Sequence, residues 1–175
     1  GKTSTKDIIA SVLSQKFNTL KTEGNNNNHI GLPLTLLKLK DEEAAVVEMG
    51  MNHFEEISYL SKIAKSSIAV ITNIGTSHIG NLGSRENILK AKLEILEGMD
   101  ENGTVVINND NDLLHKWAEE NKQKYKIVTY GIHSLSDYMA YNIIEQENSV
   151  EYDINLKGEI YKIEVPVSGE PFVYN

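Results

Sequence analysis

The sequence predicts an α/β fold, with a mostly parallel β-sheet flanked by helices and an antiparallel β-hairpin subsheet at its C-terminal end. Short continuous apolar runs alternate with segments of helical periodicity as far as Gly131, which is typical of parallel strands connected by helices. Beyond Gly131, apolar and polar residues alternate, as in antiparallel strands with one covered face. The chain has 175 residues, of which 40% are hydrophobic. We therefore expect one domain with a sizeable core.

The helices and strands of the first part of the chain are predicted from their periodicity. Apolar residues recur at spacings of three and four in the helices, and the strands are short apolar runs bounded by polar residues. In the first helix the apolar side is formed by Ile8, Ile9, Val12, Leu13 and Phe17. The predicted helices are Thr5–Phe17, Leu32–Leu39, Phe54–Ala64, Ser84–Met99 and Asp112–Asn121, and the predicted strands are Ala44–Met49, Ser67–Asn73, Thr104–Asn108 and Lys126–Thr129.

The last part of the chain predicts antiparallel strands. Residues 150–156 alternate between apolar and polar side chains, and so do residues 161–165. Lys157-Gly158 stands between them and predicts the turn of a hairpin. Tyr138–Gln146 is expected to add a third antiparallel strand.

Composition excludes several classes of protein. The formal net charge of −8 argues against a nucleic acid as the main partner, although a local pocket could still bind phosphate. The absence of cysteine excludes disulfides and thiolate chemistry. No apolar run is long enough to span a bilayer, and no signal peptide is visible. We expect a soluble, cytoplasmic protein.

Lys92 occupies an unusual place in its predicted helix. At helical pitch it falls in the middle of an apolar stripe formed by Ile88, Ile95, Leu96 and Met99. The opposite, solvated face holds Glu86, Lys90, Glu94 and Glu97. An inward lysine is rarely left charged and unpaired. Either its amine reaches out to solvent past the apolar surface, or it is held beside a metal ion or a phosphate.

The chain opens with Gly1-Lys2-Thr3, directly before a predicted helix. This tripeptide matches the end of the phosphate-binding loop pattern G-x-x-x-x-G-K-[ST], in which backbone N–H groups and the lysine hold phosphates and the hydroxyl binds Mg²⁺. Such a site would make the fold similar to the P-loop NTPases, with the chain beginning inside its own loop. The alternative is an ordinary N-terminal helix cap.

Two further residues stand at the ends of predicted strands, where ligands of open parallel sheets gather. Glu48 could bind Mg²⁺, or could simply face solvent. His78 lies in a loop of small residues and could bind a metal as neutral imidazole, or could be only hydrogen-bonded.

The Asn25–Asn28 run offers amides that can recognise sugar, phosphate or peptide groups, or that are merely solvated.

Several strings together resemble the central, ATP-binding domain of the Mur ligases, and most of all the members that add D-alanyl-D-alanine. They occur in the order of the family and cover most of the chain. The strings are Gly1-Lys2-Thr3-Ser4-Thr5, residues 22–33, Val47-Glu48-Met49-Gly50-Met51-Asn52-His53, Thr72-Asn73-Ile74-Gly75-Thr76-Ser77-His78, Leu82-Gly83-Ser84-Arg85 and Ala91-Lys92-Leu93-Glu94-Ile95.

The resemblance implies a site for ATP and two Mg²⁺ ions. Residues 1–4, which are Gly1, Lys2, Thr3 and Ser4, would bind the ATP phosphates, with Lys2 in contact with them. Thr3 and Glu48 would hold one Mg²⁺, and His78 would bind the second. Lys92 matches the family lysine that carries a carbamate and would be a metal ligand in that form. Lys2, His78 and Lys92 are the implied catalytic residues.

The resemblance also implies positions for the other substrates. Asn27 and Asn28 match the amide-rich loop that faces the UDP-muramoyl peptide. Asn175 matches the asparagine that reads adenine in the family string Gly-x-His-Asn-x-x-Asn. In this chain Pro171-Phe172 replaces the His-Asn pair of that string.

The implied reaction is the ATP-dependent addition of D-alanyl-D-alanine to UDP-N-acetylmuramoyl-tripeptide through an acyl phosphate, in peptidoglycan precursor synthesis. Residues 1–175 would be the central domain, between an N-terminal UDP-binding domain and a C-terminal domain that are both missing here. We expect the chain alone to be inactive. The alternatives are another Mur ligase, a folylpolyglutamate-type ligase, or a non-catalytic nucleotide-binding module.

Overall fold

The computed structural model describes residues 1–175, which divide into two compact units. The first unit comprises residues 1–69 and 74–103, and the second comprises residues 70–73 and 104–175. Parallel strands and helices are followed by antiparallel strands, so the predicted fold class is confirmed. None of the helices combines the length and the hydrophobicity that a membrane-spanning segment requires.

The first unit holds a two-stranded parallel sheet and most of the helices. Strand β1 (Thr19–Lys21) pairs with β2 (Ala44–Val46) in parallel, and Thr19 lies opposite Ala44. Leu32, Leu60, Ile74 and Ile88 are fully buried and form its core. The helices are α1 (Lys2–Leu13), α2 (Gly31–Leu36), α3 (Glu56–Ala64), α4 (Ile79–Leu82) and α5 (Arg85–Leu93), and a 3₁₀ turn covers Glu94–Glu97.

Helix α1 differs from its prediction in bounds and in its buried side. It begins at Lys2 because the Gly1 carbonyl accepts hydrogen bonds from the Thr5 amide at 3.0 Å and from the Thr5 hydroxyl at 3.1 Å. Its buried residues are Thr5, Lys6 and Ala10, not the predicted apolar side, and Val12 is 66% exposed. The Lys6 ammonium donates to the Thr22 carbonyl at 2.8 Å, so a buried lysine ties the helix to the segment after β1.

The helix predicted over Ser84–Met99 is interrupted. Helix α5 ends at Leu93 and continues as the 3₁₀ turn. The Glu94 carboxylate accepts hydrogen bonds from the Glu55 amide at 2.8 Å and the Ser58 amide at 3.2 Å, which caps the start of α3. Glu94 is therefore half-buried, and its predicted place on a solvated face is wrong.

The larger sheet has the strand order β3-β4-β5-β6-β7-β8, and its strands belong to the second unit except for Ile68 and Ala69, the first two residues of β3. Helix α6 (Asp112–Asn121) lies between β4 and β5 in the sequence. Strand β4 pairs with β5 in parallel, and so does β5 with β6. Strands β6, β7 and β8 pair antiparallel. The strands are β3 (Ile68–Ile71), β4 (Thr104–Asn108), β5 (Lys126–Gly131), β6 (Tyr138–Glu145), β7 (Val150–Leu156) and β8 (Glu159–Val165).

The predicted hairpin is confirmed, with its turn at Lys157-Gly158. Leu156 lies opposite Glu159, and φ is +56° at Lys157 and +92° at Gly158. Two consecutive residues with positive φ are characteristic of the tight turns whose twist matches that of antiparallel strands. After β8, a 3₁₀ turn over Glu170–Phe172 leads to Asn175.

Candidate functional site

A cleft of about 680 Å³ opens in the first unit. Four of the residues selected from the sequence line it: Lys2, Asn27, Asn28 and His78. Lys2 stands in the first turn of α1. No side chain caps this end of the helix, and no acidic residue in the first turn neutralises the positive end of the helix dipole. A lysine beside uncapped N–H groups at the positive end of a helix is chemically suited to bind phosphate oxygens. Thr3 is exposed and Ser4 half-buried in the same turn.

Glu48 is buried two residues beyond the end of β2, with 6% of its surface exposed. Its backbone amide donates to the Thr22 hydroxyl at 2.9 Å. One carboxylate oxygen, Oε1, accepts a hydrogen bond from the Asn27 side chain at 2.9 Å. The other, Oε2, is buried and has no hydrogen-bond partner. A buried carboxylate oxygen without a partner is costly unless a cation binds it.

Asn27 is held against the strand end that carries Glu48. Its carbonyl accepts a hydrogen bond from the Gly50 amide at 2.7 Å. A Cβ atom at Gly50 would lie 2.8 Å from the Asn27 side-chain oxygen, so a larger residue at this position would displace the Asn27 side chain. Asn27 thus has a fixed position from which it orients the Glu48 carboxylate.

Asn28 uses its side-chain oxygen within its own loop. That oxygen accepts hydrogen bonds from the Ile30 amide at 3.0 Å and the Gly31 amide at 2.9 Å, which fixes the start of α2. The side chain lines the cleft, but its acceptor is already engaged. Its NH₂ group is the part that suits a ligand's oxygen atoms.

Lys92 is half-buried on α5, so the predicted inward orientation is confirmed in part. Burial, with a smaller contribution from the positive charge of Lys2, lowers the pKa of Lys92 to about 8. His78 is exposed and directly precedes α4 as its N-cap residue, with a positive φ of 68°. No cluster of three or more His, Asp or Glu side chains is arranged as a metal site.

Asn175 belongs to the second unit and is half-buried. Its backbone amide donates to the Phe172 carbonyl at 3.3 Å. The preceding residue, Tyr174, donates its hydroxyl hydrogen to Asp110 at 2.9 Å. The segment that replaces the family's His-Asn pair is therefore an ordered turn, and Asn175 follows directly from it.

Comparison with known proteins agrees with this geometry. The profile of the Mur ligase middle domain matches residues 1–175, the whole chain. The chain belongs to the Mur ligase family.

One curated relative and two solved structures illustrate what the chain is similar to. The UDP-N-acetylmuramoyl-tripeptide–D-alanyl-D-alanine ligase of Bacillus subtilis is 43% identical over the whole chain. A crystal structure of MurF from Acinetobacter baumannii superposes with a TM-score of 0.92 at 35% identity, over 99% of this chain and 38% of that one. MurF from Thermotoga maritima in complex with ADP superposes with a TM-score of 0.88 at 30% identity, over 99% of this chain and 40% of that one. The chain spans 37% of the Bacillus subtilis relative's length.

Two residues of this Mur ligase domain support the site but were not predicted from the sequence. Lys6 is buried and holds the carbonyl of Thr22, whose hydroxyl receives the Glu48 amide. Arg85 donates through its guanidinium to the Ile74 carbonyl at 3.0 Å, and so steadies the loop that precedes His78. For Lys6 a signal existed, since a lysine one helical turn after Lys2 interrupts the apolar pattern of α1. Arg85 lies in a string that resembles the family, but nothing in the sequence assigned it a partner.

Proposed function

We propose that this chain is the ATP-binding domain of a Mg²⁺-dependent ligase that adds D-alanyl-D-alanine to UDP-N-acetylmuramoyl-tripeptide. The observation that carries the proposal is the unpartnered Oε2 of Glu48, buried beside a cleft that Lys2 and His78 line. The names of the relatives support the choice of substrates, and the ADP complex of one of them supports ATP. N-terminal UDP-binding and C-terminal domains would complete the enzyme.

The donor set of the first unit fits a Mg²⁺ ion. Mg²⁺ prefers oxygen ligands, and Glu48 offers a buried carboxylate oxygen that has no hydrogen-bond partner. The Thr3 hydroxyl would be a second ligand, and His78 would hold a second ion. Bound Mg²⁺ would reduce the repulsion between the ATP phosphates and the substrate carboxylate.

These residues would also bind and orient the ATP phosphates and the reacting groups of the substrates. Lys2 and the first-turn amides of α1 would hold the phosphate chain. The tripeptide carboxylate would attack the γ-phosphorus, forming an acyl phosphate and releasing ADP. The amine of D-alanyl-D-alanine would then attack the acyl carbon, expelling phosphate and losing a proton. Such a reaction is accelerated mostly by positioning and by charge neutralisation.

Lys92 is proposed to act as its carbamate. Carbamate formation requires a neutral amine, and lowering the lysine pKa from 10.5 to about 8 raises the neutral fraction at pH 7.5 from about 0.1% to about a quarter. The half-buried side chain on a helix would then present an anionic oxygen to a metal ion. The same burial that makes a charged lysine unfavourable thus favours its reaction with carbon dioxide.

Phosphate release by the full-length protein tests the proposed function. We expect release from ATP to require UDP-N-acetylmuramoyl-tripeptide, Mg²⁺ and D-alanyl-D-alanine together. Single amino acids in place of the dipeptide serve as the control. Turnover with a single amino acid, or with glutamate and a folate, would assign the chain to another branch of the superfamily. Mg²⁺-dependent ATP binding without turnover of any acceptor would favour a non-catalytic module.

A further inference from the structure

Asp110 is the most heavily hydrogen-bonded carboxylate of the second unit. It stands two residues beyond the end of β4. Three successive backbone amides of the loop after β5 donate to it, those of Ile132 at 2.6 Å, His133 at 3.1 Å and Ser134 at 2.6 Å. The Tyr174 hydroxyl donates to Oδ2 at 2.9 Å. Both carboxylate oxygens thereby accept hydrogen bonds from within the protein.

The loop after β5 is shaped to receive this carboxylate. A Cβ atom at Gly131 would lie 3.0 Å from Oδ2 of Asp110 and 3.1 Å from the Ser136 hydroxyl. Glycine therefore permits the close approach that lets the next three amides converge on one side chain. Although burial alone would raise it, these hydrogen bonds hold the pKa of Asp110 well below its usual range, so the group is anionic at neutral pH.

The Tyr174 hydroxyl connects this anchor to the C-terminal turn. Hydrogen bonds from a hydroxyl to a carboxylate are short and stronger than those between neutral groups. Burial and the hydrogen bond to Asp110 both raise the pKa of Tyr174, so the phenol keeps its proton as the donor. Asn175 is the next residue, and its Cα is about 3.8 Å along the chain from that of Tyr174.

We infer that Asp110 is a positioning residue, which acts through Tyr174 to hold Asn175 in place for recognition of the adenine base. The inference rests on the proposed function and on the adenine-binding role that the family resemblance implies for Asn175. Asp110 itself would not contact the nucleotide. It would fix the backbone of Asn175, the residue that would contact the adenine base.

Tyr174→Phe tests the inference in the full-length protein, because it removes only the hydroxyl. We expect the dissociation constant for ATP, measured by calorimetry with Mg²⁺, to rise about fivefold, as for the loss of one charge-assisted hydrogen bond. Binding of inorganic tripolyphosphate, which has no base, should not change. Tyr161→Phe is the matched control, since Tyr161 donates its hydroxyl hydrogen to the Glu159 carboxylate at 2.6 Å, and it should leave both constants unchanged.

Two further variants separate positioning from general loss of structure. Asp110→Asn should weaken ATP binding at least as much as Tyr174→Phe, and Tyr174→Phe should have no added effect in that background. Unchanged ATP binding in Tyr174→Phe would overturn the inference and leave the proposed function standing. If Tyr174→Phe weakened the binding of ATP and of tripolyphosphate equally, the inference would also be overturned and the proposed function would stand. Failure of the parent protein to bind either compound would overturn the proposed function itself.

Discussion

Glu48 in the first unit and Asp110 in the second occupy equivalent places at the ends of strands, but their carboxylates differ in hydrogen bonding. Each stands two residues beyond the end of a strand that has a parallel neighbour. Glu48 has one oxygen fixed by Asn27 and one oxygen buried without a partner. Asp110 receives hydrogen bonds from three backbone amides and a phenol.

This difference separates two uses of a strand-end carboxylate. A carboxylate whose oxygens are all engaged stabilises the loops around it and has no capacity left for a ligand. A buried carboxylate with a free oxygen lowers stability until a cation binds it. The position after a parallel strand therefore indicates a functional region, and the hydrogen bonds decide whether the residue binds a ligand or holds the structure.

The largest effect is expected from Glu48→Gln in the full-length ligase. The variant keeps an oxygen for Asn27 but replaces the anionic Oε2 with an amide, so turnover should fall by roughly a thousandfold or more, as for loss of a metal ligand's charge stabilisation. Phosphate release measures this. Glu119→Gln, at an exposed carboxylate paired with Lys122, should behave as the parent enzyme. Turnover within tenfold of the parent would show that Glu48 acts as a structural carboxylate, like Asp110.

Lys92→Ala should also lower turnover by about a thousandfold, since the carbamate would be lost as a metal ligand. Added short carboxylates such as acetate are expected to restore part of the activity by supplying an anionic oxygen. Lys90→Ala, at an exposed lysine of the same helix, is the matched control and should have no effect. Full activity of Lys92→Ala without added carboxylate would contradict the carbamate.

Asp110→Asn should act on stability, with a loss of about 2 kcal/mol in the free energy of unfolding at neutral pH. Because the folded pKa is lowered, this contribution is complete above the usual pKa of about 4 and is lost as the pH falls towards the folded value. The difference from the parent should therefore shrink below about pH 4. Fluorescence of Trp117, the single tryptophan, reports urea unfolding of the second unit. Glu147→Gln, an exposed carboxylate of that unit, is the control, and a pH-independent difference would contradict the account.

The smallest effect is expected from Asn27→Ala. If Asn27 orients the Glu48 carboxylate, the Mg²⁺ concentration for half-maximal turnover should rise about tenfold, as for other residues that support a metal ligand. The maximal rate at saturating Mg²⁺ should change little. Asn25→Ala, at an exposed neighbour in the same run, should match the parent. A raised KM for the UDP-muramoyl tripeptide with unchanged Mg²⁺ dependence would instead support Asn27 as a substrate-binding residue.

The sequence predicted correctly the helices and strands whose hydrophobic periodicity is strong. Strand β4 and helix α6 match their predicted bounds, because a buried apolar run and a capped amphipathic helix are local signals. Strand β1 was missed, since its three residues, Thr19–Lys21, have no alternation to detect. Helix α5 was predicted too long because the Glu94 side chain caps α3, thirty-odd residues earlier in the chain, and no local pattern contains that contact.

The sequence indicated candidate residues for the site, but it did not predict the contacts between them. Lys2, Glu48, His78 and Lys92 were selected from motifs and from a lysine on an apolar stripe. The hydrogen bond between Asn27 and Glu48, the buried Lys6 and the Asp110 anchor were not predicted. Each of these depends on contacts between residues more than ten positions apart, and helical or strand periodicity carries no information about them.

A metal position determined by anomalous scattering would show whether Oε2 of Glu48 binds a divalent cation. The full-length protein would be crystallised with ADP and Mn²⁺ in place of Mg²⁺. We expect an anomalous peak about 2.2 Å from Oε2 of Glu48, at the distance of a metal–carboxylate bond, and none at Asp110. A Mn²⁺ ion bound to the nucleotide while Oε2 of Glu48 contacts no metal would contradict it.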